Sequence, residues 1–170
     1  PWPRDLTFNN DGTKMFVVGN GGDEINEYSL STGFNVSTAS YIQNFSVQTQ
    51  ATSPQGITFN NDGTKMYVID QTGIDVNEYS LTTAFDISSA SYVQNFSVAL
   101  QEFNPRAIAF NNDGTKMFVV GARGDDVNEY SLSAAFDVSS ASYVQNFSVA
   151  AQDNYPNGIA FNNDGTKMFV

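Results

Sequence analysis

The sequence contains no cysteine and no histidine among its 170 residues. Without thiols there is no disulfide, no thiolate nucleophile and no Cys-ligated zinc. Without imidazole there is no Ser-His-Asp triad and no His-rich metal site. Any chemistry therefore falls to carboxylates, Lys, Tyr or an oxygen-ligated metal. Positive charge is also scarce: 7 Lys+Arg against 18 Asp+Glu leave a net charge of −11. Phosphate backbones and anionic lipid need concentrated positive charge, so neither nucleic acid nor membrane insertion is expected. No apolar run approaches the roughly 20 residues that span a bilayer, and no basic-then-apolar leader opens the chain. Pro1 stands where an initiator Met would, which reads as an excerpt.

What the sequence has in abundance is repetition, which has to be read before local structure. Phe-Asn-Asn-Asp-Gly-Thr-Lys-Met begins at Phe8, Phe59, Phe110 and Phe161, always 51 residues apart. Asn-Glu-Tyr-Ser-Leu recurs from Asn26, Asn77 and Asn128, and Gln-Asn-Phe-Ser-Val from Gln43, Gln94 and Gln145. The units run 3–53, 54–104 and 105–155, with a partial unit at 156–170. A hydrophobic fraction of 41% supports one folded domain over 1–170.

Within the second unit, turn chemistry separates four short stretches of strand character. The first is Ile57 to Phe59, opened by Pro54, and Asn61-Asp62-Gly63-Thr64 then reverses the chain. Asp there bonds its own backbone and Gly63 takes a positive φ. Lys65 to Ile69 is apolar on both faces, as a strand covered on both sides should be. Val76 to Leu81 forms a third strand and Tyr92 to Val98 a half-buried fourth. Four strands per 51 residues, with no helical period, predict an all-β fold: one β-propeller blade per unit. Parallel β-helices have shorter coils, and helical solenoids need a 3.6-residue period.

The run from Gly56 through Phe59, the Asn-Asn-Asp-Gly-Thr turn and Lys65 to Val68 resembles the strand-turn-strand opening of NHL, YVTN and lactonase-like propeller blades. More distantly it is similar to the Phe-Ser-Pro-Asp-Gly of WD40 blades, without their Gly-His and Trp-Asp marks. The near-identical units also look like repeat arrays in surface and phage tail-fibre proteins of marine microbes. The resemblance implies a closed ring of about seven blades, of which this chain supplies about three and a third. Open blade ends expose apolar faces and unpaired edges, so self-association is expected, as a homodimer or through further units in a longer parent chain. Fourteen strands per chain would give 28 for two copies, the number in seven blades.

Differences between units cluster in two connections, between the second and third strands and between one unit's fourth strand and the next unit's first. In an antiparallel blade these emerge at the same end, opposite the fixed turn. All three arginines, Arg4, Arg106 and Arg123, fall in these variable columns, while every Lys follows the fixed turn. Arg4, Gln55, Arg106 and Asn157 share one column; Trp2 and Tyr155 share another, with Phe103 beside it. Arg and large aromatics anchor interfaces, so Trp2, Arg4, Gln55, Phe103, Arg106, Arg123, Tyr155 and Asn157 are the candidate ligand-binding residues, with no catalytic residue among them. Neutral variation of surface loops explains the same pattern.

The expected function is a non-enzymatic display module binding a glycan or protein. The alternatives are a structural, self-assembling scaffold and a lactonase-like or calcium-dependent hydrolase. Arg123-Gly124-Asp125 has the form of an adhesion tripeptide. Asp23, Glu24, Asp75, Asp125 and Asp126, with Glu27, Glu78 and Glu129, offer oxygen ligands for calcium, whereas Asn60-Asn61-Asp62-Gly63 lacks the full calcium-loop spacing and reads as a turn, and no cofactor is expected. Sequons at Asn35, Asn44, Asn95 and Asn146 fit an extracellular, cell-surface or particle-surface location.

Overall fold

The structure is a computed structural model that describes residues 2–170; Pro1 lies outside the described residues. The first blade comprises β1 (Pro3–Phe8), β2 (Lys14–Gly19), β3 (Glu24–Leu30) and β4 (Ala39–Ser46). The second comprises β5 (Pro54–Phe59), β6 (Lys65–Asp70), β7 (Asp75–Leu81) and β8 (Ala90–Ser97). The third comprises β9 (Pro105–Phe110), β10 (Lys116–Gly121), β11 (Asp126–Leu132) and β12 (Ala141–Ser148), and a two-stranded strip follows, β13 (Ala160–Phe161) with β14 (Met168–Phe169). Every full blade is an antiparallel sheet whose strand order is its chain order. This is the expected four-stranded propeller blade, three times complete and once half present.

The fixed turn folds as its residues dictate. Gly63 has φ +72°, and Asp62 Oδ1 accepts from the backbone N–H of Thr64 at 2.9 Å and from its hydroxyl at 2.5 Å. Asn60 bridges the turn, its Oδ1 accepting from Lys65 N at 2.9 Å. Glycine is required there for a second reason: a Cβ on Gly63 would lie 2.2 Å from the ring of Phe85, which covers the turn. Phe34 and Phe136 cover Gly12 and Gly114 in the same way.

Strands extend one to three residues beyond the sequence pattern, except that β8 ends at Ser97 rather than Val98. Pro54 pairs with Asp70 across a bulge rather than only preceding the strand. Between third and fourth strands each blade carries a 3₁₀ turn, Val36–Thr38, Ile87–Ser89 or Val138–Ser140, that hydrophobic periodicity did not reveal. An Asx motif makes it: Asn35, Asp86 and Asp137 each accept from the backbone N–H two residues on.

The core lies between the blades. Phe16, Val18 and Ile25 of the first pack on Ile57, Met66, Val68 and Tyr79 of the second. Tyr67, Ile69 and Val76 pack likewise on Ile108, Met117, Val119 and Tyr130 of the third. Phe16–Phe59, Tyr67–Phe110 and Phe118–Phe161 stack across successive junctions at 4.7, 4.6 and 4.6 Å. The second sheet is thus buried on both faces by its neighbours, which explains its apolar second strand.

Candidate functional site

The innermost strands β1, β5 and β9 lie side by side, β1 contacting β5 and β5 contacting β9. Gly56 marks the close approach, since a Cβ there would meet Arg106 O at 3.0 Å. At the variable end of these strands Pro3, Arg4, Gln55, Arg106 and Asn157 line a hollow of about 160 Å3. The column of four residues singled out from the sequence therefore gathers around one hollow. Further along the strands, Asp5, Ile57, Ala107 and Gly158 border a larger hollow of about 470 Å3.

Arg106 is held rigidly. Its Nη1 donates to Gln55 Oε1 at 2.9 Å and its Nη2 to Tyr155 Oη at 2.9 Å. Its guanidinium lies 5.5 Å from the Tyr155 ring centroid, a cation–π distance. Gln55 is 4% exposed, and its amide is fixed by donating to Ser53 O and Oγ, each at 3.1 Å. Arg106 Nε is buried with no hydrogen-bond partner among the described residues. A chain this acidic thus places two of its three arginines around one hollow, one of them with an unused donor.

Asp5 escaped the sequence reading although it carried a signal. Its column reads Asp5, Gly56, Ala107, Gly158, a single acid among small residues. Asp5 Oδ2 accepts from Ile57 N of the next blade at 3.0 Å and Oδ1 from Leu6 N at 2.8 Å. Burial raises its pKa above the ordinary carboxylate value, while the two backbone N–H bonds oppose that rise. It is the one acidic residue on the described inner strands.

The other predicted residues sit elsewhere. Trp2 is exposed beside a separate hollow of about 290 Å3 with Gly19 and Glu24. Arg123 lies over the Phe103 ring at 5.6 Å. Its tripeptide is tied down, with Gly124 N donating to Glu102 Oε2 at 3.0 Å and Asp125 at φ +49°. Asp75 and Asp126 are occupied by amides: Asn77 and Asn95 donate to the first, Asn128 and Asn146 to the second. Among the described residues no three acidic side chains gather as a metal site.

Part of the loop variability is structural compensation. Asp70 accepts from Ser53 N at 2.7 Å and Gly73 N at 2.5 Å. One unit on, that position is Gly121, and Glu102 performs the task from the other loop, accepting from Asn104 N at 2.6 Å and Gly124 N. A Cβ on Gly121 would lie 2.4 Å from Glu102 Cδ, whereas beside Asp70 the counterpart of Glu102 is the small Ala51.

These features define a β-propeller with a polar, arginine-bearing funnel. A family model described as lactonase, 7-bladed β-propeller, matches residues 1–137, and the chain belongs to that family. No curated protein matches it. Among solved structures, a Bacteroides uniformis protein described as a 6-phosphogluconolactonase is 13% identical over 98% of this chain and 46% of its own, with TM-score 0.69. The periplasmic gluconolactonase PpgL of Pseudomonas aeruginosa is 16% identical over 98% and 46%, TM-score 0.62. Kuenenia stuttgartiensis hydrazine synthase is 16% identical over 99% and 41%, TM-score 0.67. The chain spans less than half the length of each, and at such identities the likeness shows the fold alone. The lactonase family match overturns the expectation of a non-enzymatic display module. Repetition misled that reading: framework residues recur in every unit, and the singular Asp5 was lost among them.

Proposed function

We propose that the chain supplies inner strands of a lactone-hydrolysing funnel, with the Arg4–Gln55–Arg106–Asn157 hollow as its mouth. The observation that carries this is Arg106, braced on two sides with a buried, unused Nε donor, in a chain of the lactonase family. Hydrolysis adds water to the ring carbonyl carbon and breaks the acyl C–O bond, and the departing alkoxide takes up a proton. A preorganised guanidinium suits the oxyanion that forms, and it also suits the product carboxylate. The described inner strands carry no histidine, cysteine, lysine or tyrosine, so the proton of the attacking water goes to a carboxylate. Asp5, its pKa raised by burial and its ring-facing position unique, fills that role.

The test is a pH-indicator assay of glucono-lactone opening, paired with calorimetric titration of gluconate. The chain should open the lactone faster than buffer does. Arg106→Ala should weaken gluconate binding at least tenfold, and Asp5→Asn should remove turnover while retaining binding. Turnover unchanged in both variants would overturn the assignment.

A further inference from the structure

Both groups that brace Arg106, the Gln55 amide and the Tyr155 hydroxyl, are neutral. Lys14, Lys65 and Lys116 each pair with a glutamate at 2.8, 2.8 and 2.7 Å, whereas among the described residues no carboxylate lies within ion-pair distance of Arg106. Its charge is therefore oriented without being cancelled, the condition under which a guanidinium can take an anion.

The Gln55 amide has one way to sit. Arginine only donates, so Oε1 must face Arg106, and a backbone carbonyl only accepts, so Nε2 must face Ser53. Ser53 is itself clamped: its N–H donates to Asp70 Oδ1 at 2.7 Å, and its carbonyl accepts from Gln71 N at 3.1 Å as well as from Gln55. Asp70 is 1% exposed and lines no part of the hollow. Its other oxygen accepts from Gly73 N at 2.5 Å, so one carboxylate ties the connection after β4 to the connection after β6. An unbroken run of hydrogen bonds leads from Asp70 through Ser53 and Gln55 to Arg106, crossing from the second blade to the third.

The third blade separates scaffold from specialisation. There Asn104 is clamped in the same way, its N–H donating to Glu102 Oε1 at 2.6 Å and its carbonyl accepting from Ala122 N at 3.1 Å. Two residues on stands Arg106 rather than a glutamine. The clamp recurs while the amide belongs to the second blade. A glutamate at position 55 would have nearly the same shape, but it could not donate to Ser53 and it would cancel the charge of Arg106.

We propose that Asp70 and Gln55 are positioning residues for Arg106: Asp70 fixes Ser53, Ser53 fixes the Gln55 amide, and the amide oxygen orients the guanidinium while leaving its charge free for a carboxylate. This rests on the reading of the hollow as the funnel mouth, and two measurements on the full chain separate the two ideas. Nitrogen-15 NMR of the Arg106 guanidinium reads the brace without any ligand, because hindered rotation about Nε–Cζ slows exchange between Nη1 and Nη2. That exchange should be slow in the parent and about tenfold faster in Asp70→Gly, and it should return to the parent rate when Ala51→Glu supplies the third blade's clamp. Asp70→Asn, which keeps one accepting oxygen, gives the same reading if the glycine variant does not fold. In calorimetric titration, Gln55→Glu should bind gluconate about tenfold more weakly than the parent, with little change in melting temperature. Fast exchange in the parent overturns the proposal, as does a rate that both Asp70 variants leave unchanged, or Gln55→Glu binding gluconate like the parent. Slow exchange in a parent that does not bind gluconate supports the brace and counts against the lactone reading.

Discussion

Replacing Gly63 with Ala probes the contact that locks each blade's inner turn to its outer loop. Two costs add. An L-residue held at φ +72° loses about 1 kcal/mol. The new Cβ then meets the Phe85 ring at 2.2 Å, so the ring, stacked on Phe59 at 5.3 Å, must move within a packed cluster, at about 2 kcal/mol. A total of about 3 kcal/mol corresponds to a fall in melting temperature of roughly 6–12 °C for a chain of this size. Calorimetry on a double-mutant cycle with Phe85→Ala separates the terms. With the ring gone, Gly63→Ala should cost only the backbone term, giving a coupling of about 2 kcal/mol. Additive effects in the cycle would refute the claim that Phe85 is what excludes a side chain from the turn.

Two further predictions concern carboxylates. Asp70→Gly should destabilise the second blade by roughly 2–4 kcal/mol by orphaning Ser53 N and Gly73 N. Adding Ala51→Glu should restore most of that loss, copying the Glu102–Gly121 solution; denaturant unfolding of the single and double variants decides. The second prediction is pH dependence. Hydrogen bonds from Ser88, Ser139 and Thr64 hold Asp86, Asp137 and Asp62 below the ordinary 3.8, so their stabilisation is complete above 3.8 and is lost as pH falls through the depressed native values. Burial raises Asp5 and Asp75, whose ionised forms disfavour the native state, and that penalty is relieved as pH falls through their raised values. Melting temperature should therefore rise from neutrality toward pH 4 and drop below 3.8, with a smaller rise in Asp5→Asn. A steady decline from pH 7 downward would contradict this.

Much of the blade was legible because its signals are local. Asp62 and Gly63 specify their turn through a side-chain bond and a permitted φ, and the Met66–Ile69 run announces burial on both faces. The 3₁₀ turn after Phe34, Phe85 and Phe136 was not visible to periodicity, because an Asx side chain makes it rather than an apolar pattern. The column of Arg4, Gln55, Arg106 and Asn157 was found by comparing units, since equal positions in a repeat occupy equal places around an axis. Comparison by column favoured arginines and large aromatics in the variable loops, so Trp2, Phe103 and Arg123 were grouped with a hollow they do not line. Asp5 was passed over.

The order of residues alone determined the repeat length, the four-strand unit, the turns, and the absence of histidine and cysteine chemistry, because each depends on neighbours a few positions away or on composition. Tertiary structure decided which side chains meet across 51 residues. The bracing of Arg106 by Gln55 and Tyr155, the burial of Asp5 against the next blade's backbone, and the exchange of Asp70 for Glu102 all arise where separate sheets press together. Such contacts depend on how the sheets twist and approach one another, a relation that no stretch of a single blade encodes by itself.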